Sequence, residues 1–394
     1  MKKQTQAIHL EYERRDAYDS LSVPVYNTLA YEFDNAAVMA EAFTDKIKAP
    51  DYSRVENPTV TNLERRVAAL TDAAHATAFN SGMAAISNTL MALAAQGKNI
   101  VTSKHLFGNT YALLVATLRR FGVKVRLRDL TNIEAVREAI DDDTCCVFLE
   151  ILTNPQLEVA DLKAISEVAH EKNVPLVVDS TVIPFTQFSA KSLGVDIEVV
   201  SSSKYVSGGA TSLGGLVIDY GTPYNGNFAK RLYGEMLFNF GAYMTPQVAY
   251  MQTIGLETLD ARYRVQSSNA LELAKKLRSL PQIKNVNYVG LEDNPYHELA
   301  QRQFGKTAGA MICIDLESKE ACFSFLNNLK LIHRATNLFD NRSLAIHPAS
   351  TIFGAFSESM RKSMDVKDTT IRLSIGLEDV DDLFEDIKQA VDCL

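Results

Sequence analysis

Beyond residue 60, the spacing of apolar positions switches repeatedly between short continuous runs and intervals of three and four. The runs ATAF (76–79), NIVTSK (99–104), VKVRLRDL (123–130), CCVFLEIL (145–152), VPLVVD (174–179), DIEVVSSS (196–203) and GGLVIDYG (214–221) predict strands. Between them, VTNLERRVAALTDA (60–73), MAAISNTLMALAAQ (83–96), YALLVATLRRFG (111–122), NIEAVREAID (132–141) and VADLKAISEVAHEKN (159–173) carry helical spacing, with SAKSLG (189–194) a short turn of helix. Such regular alternation predicts an α/β fold: a mainly parallel sheet with helices on both faces. A helical stretch over 228–280 leads to a second, smaller unit. There AGAMICIDL, SKEACFSFLNNLKL, TIRLSIGL and DVDDLFEDIKQAVDCL predict strand, helix, strand and helix. The first 60 residues lack this regularity. Pro, Asn and Asp interrupt SVPVYNTLAYEFDNAAVMAEAF, which predicts an arm that must pack on its own body or on another subunit. The expected division is 1–60 for the arm, 61–250 for the large domain and 251–394 for the C-terminal domain.

Composition narrows the class without naming a chemistry. With 46% hydrophobic and 22% charged residues in 394, the chain is of globular type. A net charge of −8 supplies no basic field for nucleic acid. The five cysteines have no metal-ligand spacing, and no metal site is expected. MKKQTQAIHLEYERRD has no apolar segment of a signal peptide, and no apolar run reaches membrane-spanning length. The expectation is a soluble, cytoplasmic enzyme with a small-molecule substrate.

Four groups fall where strands end, the place ligands occupy in open α/β sheets. Ser81-Gly82-Met83 opens a helix, whose free N–H groups and dipole suit a phosphate, though Ser is also a common N-cap. Asp179 ends an apolar strand, and a poorly solvated carboxylate there needs a cation or a capping role. Lys204 follows Ser201-Ser202-Ser203 at another strand end. Its amine can be desolvated and made nucleophilic, or can simply sit in a solvated loop. Arg372 lies within a predicted strand, where its planar fork suits a carboxylate or a structural ion pair. Singly each has a plain structural explanation. Together, a phosphate cradle, a strand-end aspartate and a strand-end lysine are the parts of a pyridoxal 5′-phosphate site. The lysine carries the cofactor and the aspartate keeps its ring nitrogen protonated.

With these motifs in view, the chain resembles the Cys/Met-metabolism family of pyridoxal-phosphate enzymes. The likeness runs through YSRVENPTV (52–60), NSGMAAI (80–86), LFGNTYALL (106–114), LTNPQLEVADL (152–162), VVDSTVIPF (177–185), SSSKYVSGGATSLGGLV (201–217), GLETLDAR (255–262), RSLAIHPAST (342–351) and IRLSIGLED (371–379). It implies the aspartate-aminotransferase-like fold, called fold type I, with a seven-stranded sheet. Lys204, Asp179 and Phe107 would be catalytic. Ser81, Gly82, Met83, Asn154, Thr181, Ser201 and Ser203 would bind the cofactor with Lys204 and Asp179. Tyr52 and Arg54 would reach the phosphate of a neighbouring subunit in a homotetramer built as a dimer of dimers. Arg372 would hold the substrate α-carboxylate, assisted by Asn154 and the Ser343 backbone.

Details within the motifs favour acyl-homoserine substrates, with the sulfur donor, free sulfide, a thiol or a sulfur-carrier protein, left open. Phe107 stands where the family usually has tyrosine: it keeps the ring face but has no phenol to protonate a leaving thiolate. Arg342 stands where members handling cystathionine have glutamate, and Asn109 where methionine γ-lyases typically have cysteine. NLFDNRSLAIHPAST is most similar to the sulfhydrylase members, with the acyl group, acetyl or succinyl, left open. Phe353 and Gly209-Ala210 also depart from the family pattern, where histidine and His-Gly are usual, and either bear on loop closure or sulfur entry or are neutral.

Overall fold

The computed structural model describes residues 1–10, 16–44 and 46–394. The seven predicted strands of the large domain form one sheet. They are β1 (His75–Phe79), β2 (Asn99–Ser103), β3 (Lys124–Arg128), β4 (Thr144–Glu150), β5 (Leu176–Asp179), β6 (Ile197–Val200) and β7 (Gly215–Asp219), in the order β1-β7-β6-β5-β4-β2-β3. β7 runs antiparallel to both its neighbours, and the other pairs are parallel. Helices on both faces bury the central strands; every residue of β2 and β6 is buried. Local chemistry sets the helix starts. Asn57 accepts from the Thr59 N–H with Pro58 in the first turn, and Asn132, Asp161 and Ser318 cap their helices in the same way.

The smaller sheet holds β8 (Asn285–Asn287), β9 (Met311–Asp315), β10 (His333–Arg334), β11 (Leu344–Ile346) and β12 (Thr370–Ser374), ordered β10-β11-β12-β9-β8. Arg372 therefore sits on the central strand, opposite Cys313 and Ile346. The helix Pro246–Glu257 crosses the boundary expected at residue 250 and packs on Pro58–Thr71 of the large domain. The next helix, Leu259–Leu277, packs on the C-terminal helix Val380–Val391 and on β8 and β9.

The arm is mixed. Lys3–His9 is a helix that docks on its own chain: Lys3 Nζ donates to the carbonyl of Phe188 at 2.8 Å, and Arg66 Nη1 donates to that of Ala7 at 2.7 Å. This part of the expected intersubunit arm thus serves its own large domain. Residues 11–15 and 45 of the arm lie outside the described set. Further on, Leu21, Leu29 and Phe43 are exposed. Among the described residues, no helix is long and apolar enough to cross a membrane.

Candidate active site

The carboxyl ends of β4, β5 and β6 bring Glu150, Asp179 and Ser201 to one edge of the sheet. The helix Gly82–Leu93 starts beside them, its N-terminus capped by Ser81, whose hydroxyl accepts from the Ala84 N–H at 3.1 Å. A side chain at Gly82 would place Cβ 2.6 Å from Ser201 Cβ, so glycine is required for the helix to approach the serine turn this closely. The Ser201 N–H donates to Thr181 Oγ1 at 2.8 Å, and the Thr181 N–H donates to Asp179 Oδ1 at 2.9 Å. Ser81, Gly82, Ser201, Thr181 and Asp179 thus form one continuous rim. Met83 joins it to the strap that carries Phe107, with Thr110 Oγ1 3.9 Å from its sulfur.

Asp179 and Glu150 are register neighbours on β5 and β4. Burial raises the Asp179 carboxyl above the usual range. Burial first, and then the charge on Asp179, push Glu150 up to about 8. Glu150 consequently holds the proton near neutrality, leaving Asp179 as the anion that a ring cation would stabilise. Glu150 also fixes the strap, since the Phe107 N–H donates to its Oε1 at 2.5 Å.

Lys204, just past the end of β6 in the large sheet, and Arg372, on β12 of the smaller sheet, approach one another around Asn337. Burial, and then the charge of Arg372, lower the Lys204 amine to about 8. Its Nζ donates to Asn337 Oδ1 at 2.7 Å. Arg372 is 2% exposed; its Nη1 donates to Asn154 Oδ1 at 3.1 Å and its Nη2 to the Asn337 carbonyl at 3.2 Å. Burial lowers it to about 10, so it stays cationic near neutrality. Its Nε is buried without a hydrogen-bond partner among the described residues. An unmet donor on a buried guanidinium suits an anionic ligand.

Asn337 was not singled out in the sequence, although it is the first residue of the NLFDNRSLAIHPAST stretch (337–351). Neither a strand end nor a helix start marks it; its role appears only when the two domains meet. Replacing Asn337 by alanine removes the acceptor that holds Lys204. We expect turnover to fall about 10-fold, the effect of one hydrogen bond to a charged group. Steady-state kinetics beside Asn337→Gln would check this.

Other expected residues behave differently. The Ser343 N–H and hydroxyl both donate to Glu378, at 2.6 and 2.9 Å, so the backbone help expected for the substrate carboxylate is spent elsewhere. The Ser203 hydroxyl, expected on the phosphate, donates to the Gly214 carbonyl at 3.1 Å and accepts from its N–H at 2.9 Å. Arg54 donates to the Phe238 carbonyl at 2.5 Å and lies over the exposed Tyr52 ring. Among the described residues, no hydrogen bond joins Tyr52 or Arg54 to Ser81 or Ser201 of the same chain. Phe353 is fully buried against Phe356 in a cluster with Met364 and Val366, so its departure serves packing and not the site mouth. Gly209 adopts φ +130°, and a Cβ there would lie 2.4 Å from Asn341 Nδ2, which accounts for the missing histidine.

These residues fit pyridoxal phosphate. A cradle that a single Cβ would fill lies at Gly82, an anion waits at Asp179, and a desolvated amine and an unmet guanidinium donor face each other across the site.

Comparisons agree. A family profile described as Cys/Met metabolism PLP-dependent enzyme matches residues 4–392. An L-methionine gamma-lyase of Fusobacterium nucleatum subsp. polymorphum is 37% identical, with 98% of this chain and 97% of the relative covered. An O-acetyl-L-homoserine sulfhydrylase of Corynebacterium glutamicum is 31% identical over 98% and 95% of the two chains. A solved structure from Campylobacter jejuni, provisionally assigned as an O-acetylhomoserine (thiol)-lyase and holding N′-pyridoxyl-lysine-5′-monophosphate, superposes with a TM-score of 0.95. It is 35% identical, with both chains covered in full.

Proposed function

The chain belongs to the Cys/Met-metabolism family of pyridoxal-phosphate-dependent enzymes, of fold type I, and from that premise we propose that it replaces the acetyl group of O-acetylhomoserine by sulfide, forming homocysteine. The observation that carries this reading is Phe107. Its backbone is tied to Glu150 above the Asp179 edge, and its side chain has no acidic proton to give. Departing acetate has a parent acid with pKa about 4, whereas a thiolate's is about 8.5. A site without a phenol at the strap is suited to the better leaving group.

Pyridoxal phosphate supplies an electron sink for charge developing at the substrate α-carbon. The chain's own residues do the rest. Ser81, Gly82, Met83 and Ser201, with Thr181, hold the phosphate at the helix N-terminus. Asp179 pairs with the ring cation, and its burial strengthens that pairing. Arg372, steadied by Asn154 and Asn337, binds the α-carboxylate through its free edge and so sets which bond at the α-carbon meets the cofactor plane. Lys204, with a pKa lowered to about 8, has a fraction of free amine near neutrality. It takes the α-proton at Nζ and returns protons later in the reaction. Phe107 covers the ring face and excludes water.

Tyr52 and Arg54 complete the phosphate site of a neighbouring subunit in this reading. The exposure of Tyr52, and the absence among the described residues of a hydrogen bond from Tyr52 or Arg54 to the chain's own cradle, support an assembly of at least two copies. The relatives named methionine gamma-lyase mark the competing activity. Asn109, in place of the cysteine typical of those enzymes, weighs against it. Restoring the phenol in Phe107→Tyr is expected to leave O-acetylhomoserine turnover within about 3-fold of the parent, since a carboxylate needs little acid assistance. A much larger gain in steady-state assays would contradict the leaving-group argument.

A further inference from the structure

His105 lies two residues before Phe107 on the same strap and is buried. Its ring stands between two acids from different parts of the molecule. Nδ1 is hydrogen-bonded to Glu158 Oε2, from the loop after β4, and Nε2 to Asp365 Oδ2 at 2.8 Å, from the loop before β12. A carboxylate ion only accepts hydrogen bonds. Carboxylates on both ring nitrogens therefore require both nitrogens to carry protons, which makes the ring an imidazolium.

We propose that His105 is a positioning residue, a charged clasp that fastens the Phe107 strap to the C-terminal domain and releases it when the ring loses a proton. The effect on cofactor binding rests on the reading of Phe107 as the cover of the ring face.

Asp365 is built for the contact. It holds φ +54°, a left-handed conformation that favours glycine but that aspartate tolerates better than most residues. Its carboxylate also accepts from Lys104 Nζ at 2.7 Å. Although burial opposes it, Lys104 and His105 together keep the Asp365 carboxyl below the usual range. For His105, burial favours the neutral ring, yet Glu158 and Asp365 outweigh it and raise the pKa. Of the other titratable groups lining the cleft, Cys313 Sγ donates to the Pro155 carbonyl at 3.1 Å, and burial pushes its thiol up to about 12. Tyr296 OH donates to Glu158 Oε1 at 3.4 Å, and Lys367 pairs with Asp315 at 3.0 Å. A cavity of about 270 Å³, lined by these residues, gives water access to the clasp.

The same strap is apolar on its other side. Tyr111 meets Phe356 edge-on at 5.9 Å, and a Cβ at Gly108 would come 2.8 Å from the Ile352 carbonyl. Charged and apolar contacts thus press one segment onto residues 349–366. Only the charged contact depends on pH. Because the folded pKa of His105 is raised, the clasp is complete below the ordinary histidine value of about 6.5. It is lost as pH rises through the higher folded value.

The test uses the cofactor-loaded protein. Histidine C2 hydrogen–deuterium exchange, read by mass spectrometry, gives the midpoint of His105. It is expected above that of free histidine and closer to it in Asp365→Gly, a variant whose backbone suits glycine. Amide exchange over residues 104–108 should rise across the same pH range beyond its intrinsic increase. In Asp365→Gly it should be fast throughout, with no titration step. A His105 midpoint at or below the free value, or identical strap exchange in parent and variant, would overturn the proposal. Pyridoxal phosphate affinity, measured by equilibrium dialysis, is expected to weaken about 10-fold in Asp365→Gly. Unchanged affinity despite an opened strap would leave the clasp standing and refute Phe107 as the ring cover.

Discussion

Replacing Lys204 by alanine is expected to lower turnover of the amino acid substrate by about 1,000-fold or more, within or beyond the loss typical of a general base. The variant should also lose the visible absorption of lysine-bound pyridoxal phosphate while retaining its fold. Lys204 is held at the site by Asn337 and lies near Arg372. Since its pKa is lowered to about 8, covalent capture of added cofactor by borohydride should also increase with pH, with a midpoint near 8 in the cofactor-free protein. The sign follows from the chemistry: only the neutral amine attacks, and its fraction grows as pH rises through the pKa. Absorption intact in Lys204→Ala would remove the basis for the whole site assignment.

Arg372→Leu has the second large effect. The arginine is nearly inaccessible and held by Asn154 and Asn337, leaving Nε for a ligand. Leucine keeps the apolar volume on β12 but removes the charge. Losing one side of a buried, hydrogen-bonded charge pair costs about 2–5 kcal/mol, which is about 30- to several-thousand-fold in kcat/KM. The loss should appear largely in KM for the amino acid. Cofactor absorption should survive, because Arg372 reaches the substrate side of the site. Loss of the cofactor in this variant would place Arg372 in the wrong role.

The strands of the large sheet, though not their order in it, were legible because most are short apolar-rich runs set apart by helical patterns. The short strands β8, β10 and β11 were not, since two or three residues carry no period. Asp179, Lys204 and the Ser81-Gly82 turn were readable for a related reason: strand ends and helix starts are local features. Asn337 was invisible because its function arises where two domains converge. Ser343 misled because Glu378, from a motif read only as flanking Arg372, takes both its donors. Phe353, whose departure the sequence left open between loop closure, sulfur entry and neutrality, is buried in packing against Phe356.

The central claim is γ-replacement on O-acetylhomoserine, and product analysis tests it most directly. The purified enzyme would be offered O-acetylhomoserine or O-succinylhomoserine with sulfide and, separately, L-methionine alone. Homocysteine is expected from the acetyl ester at a rate well above that from the succinyl ester, with little 2-ketobutyrate from methionine. Rapid 2-ketobutyrate release from methionine, with little homocysteine from either ester, would contradict it.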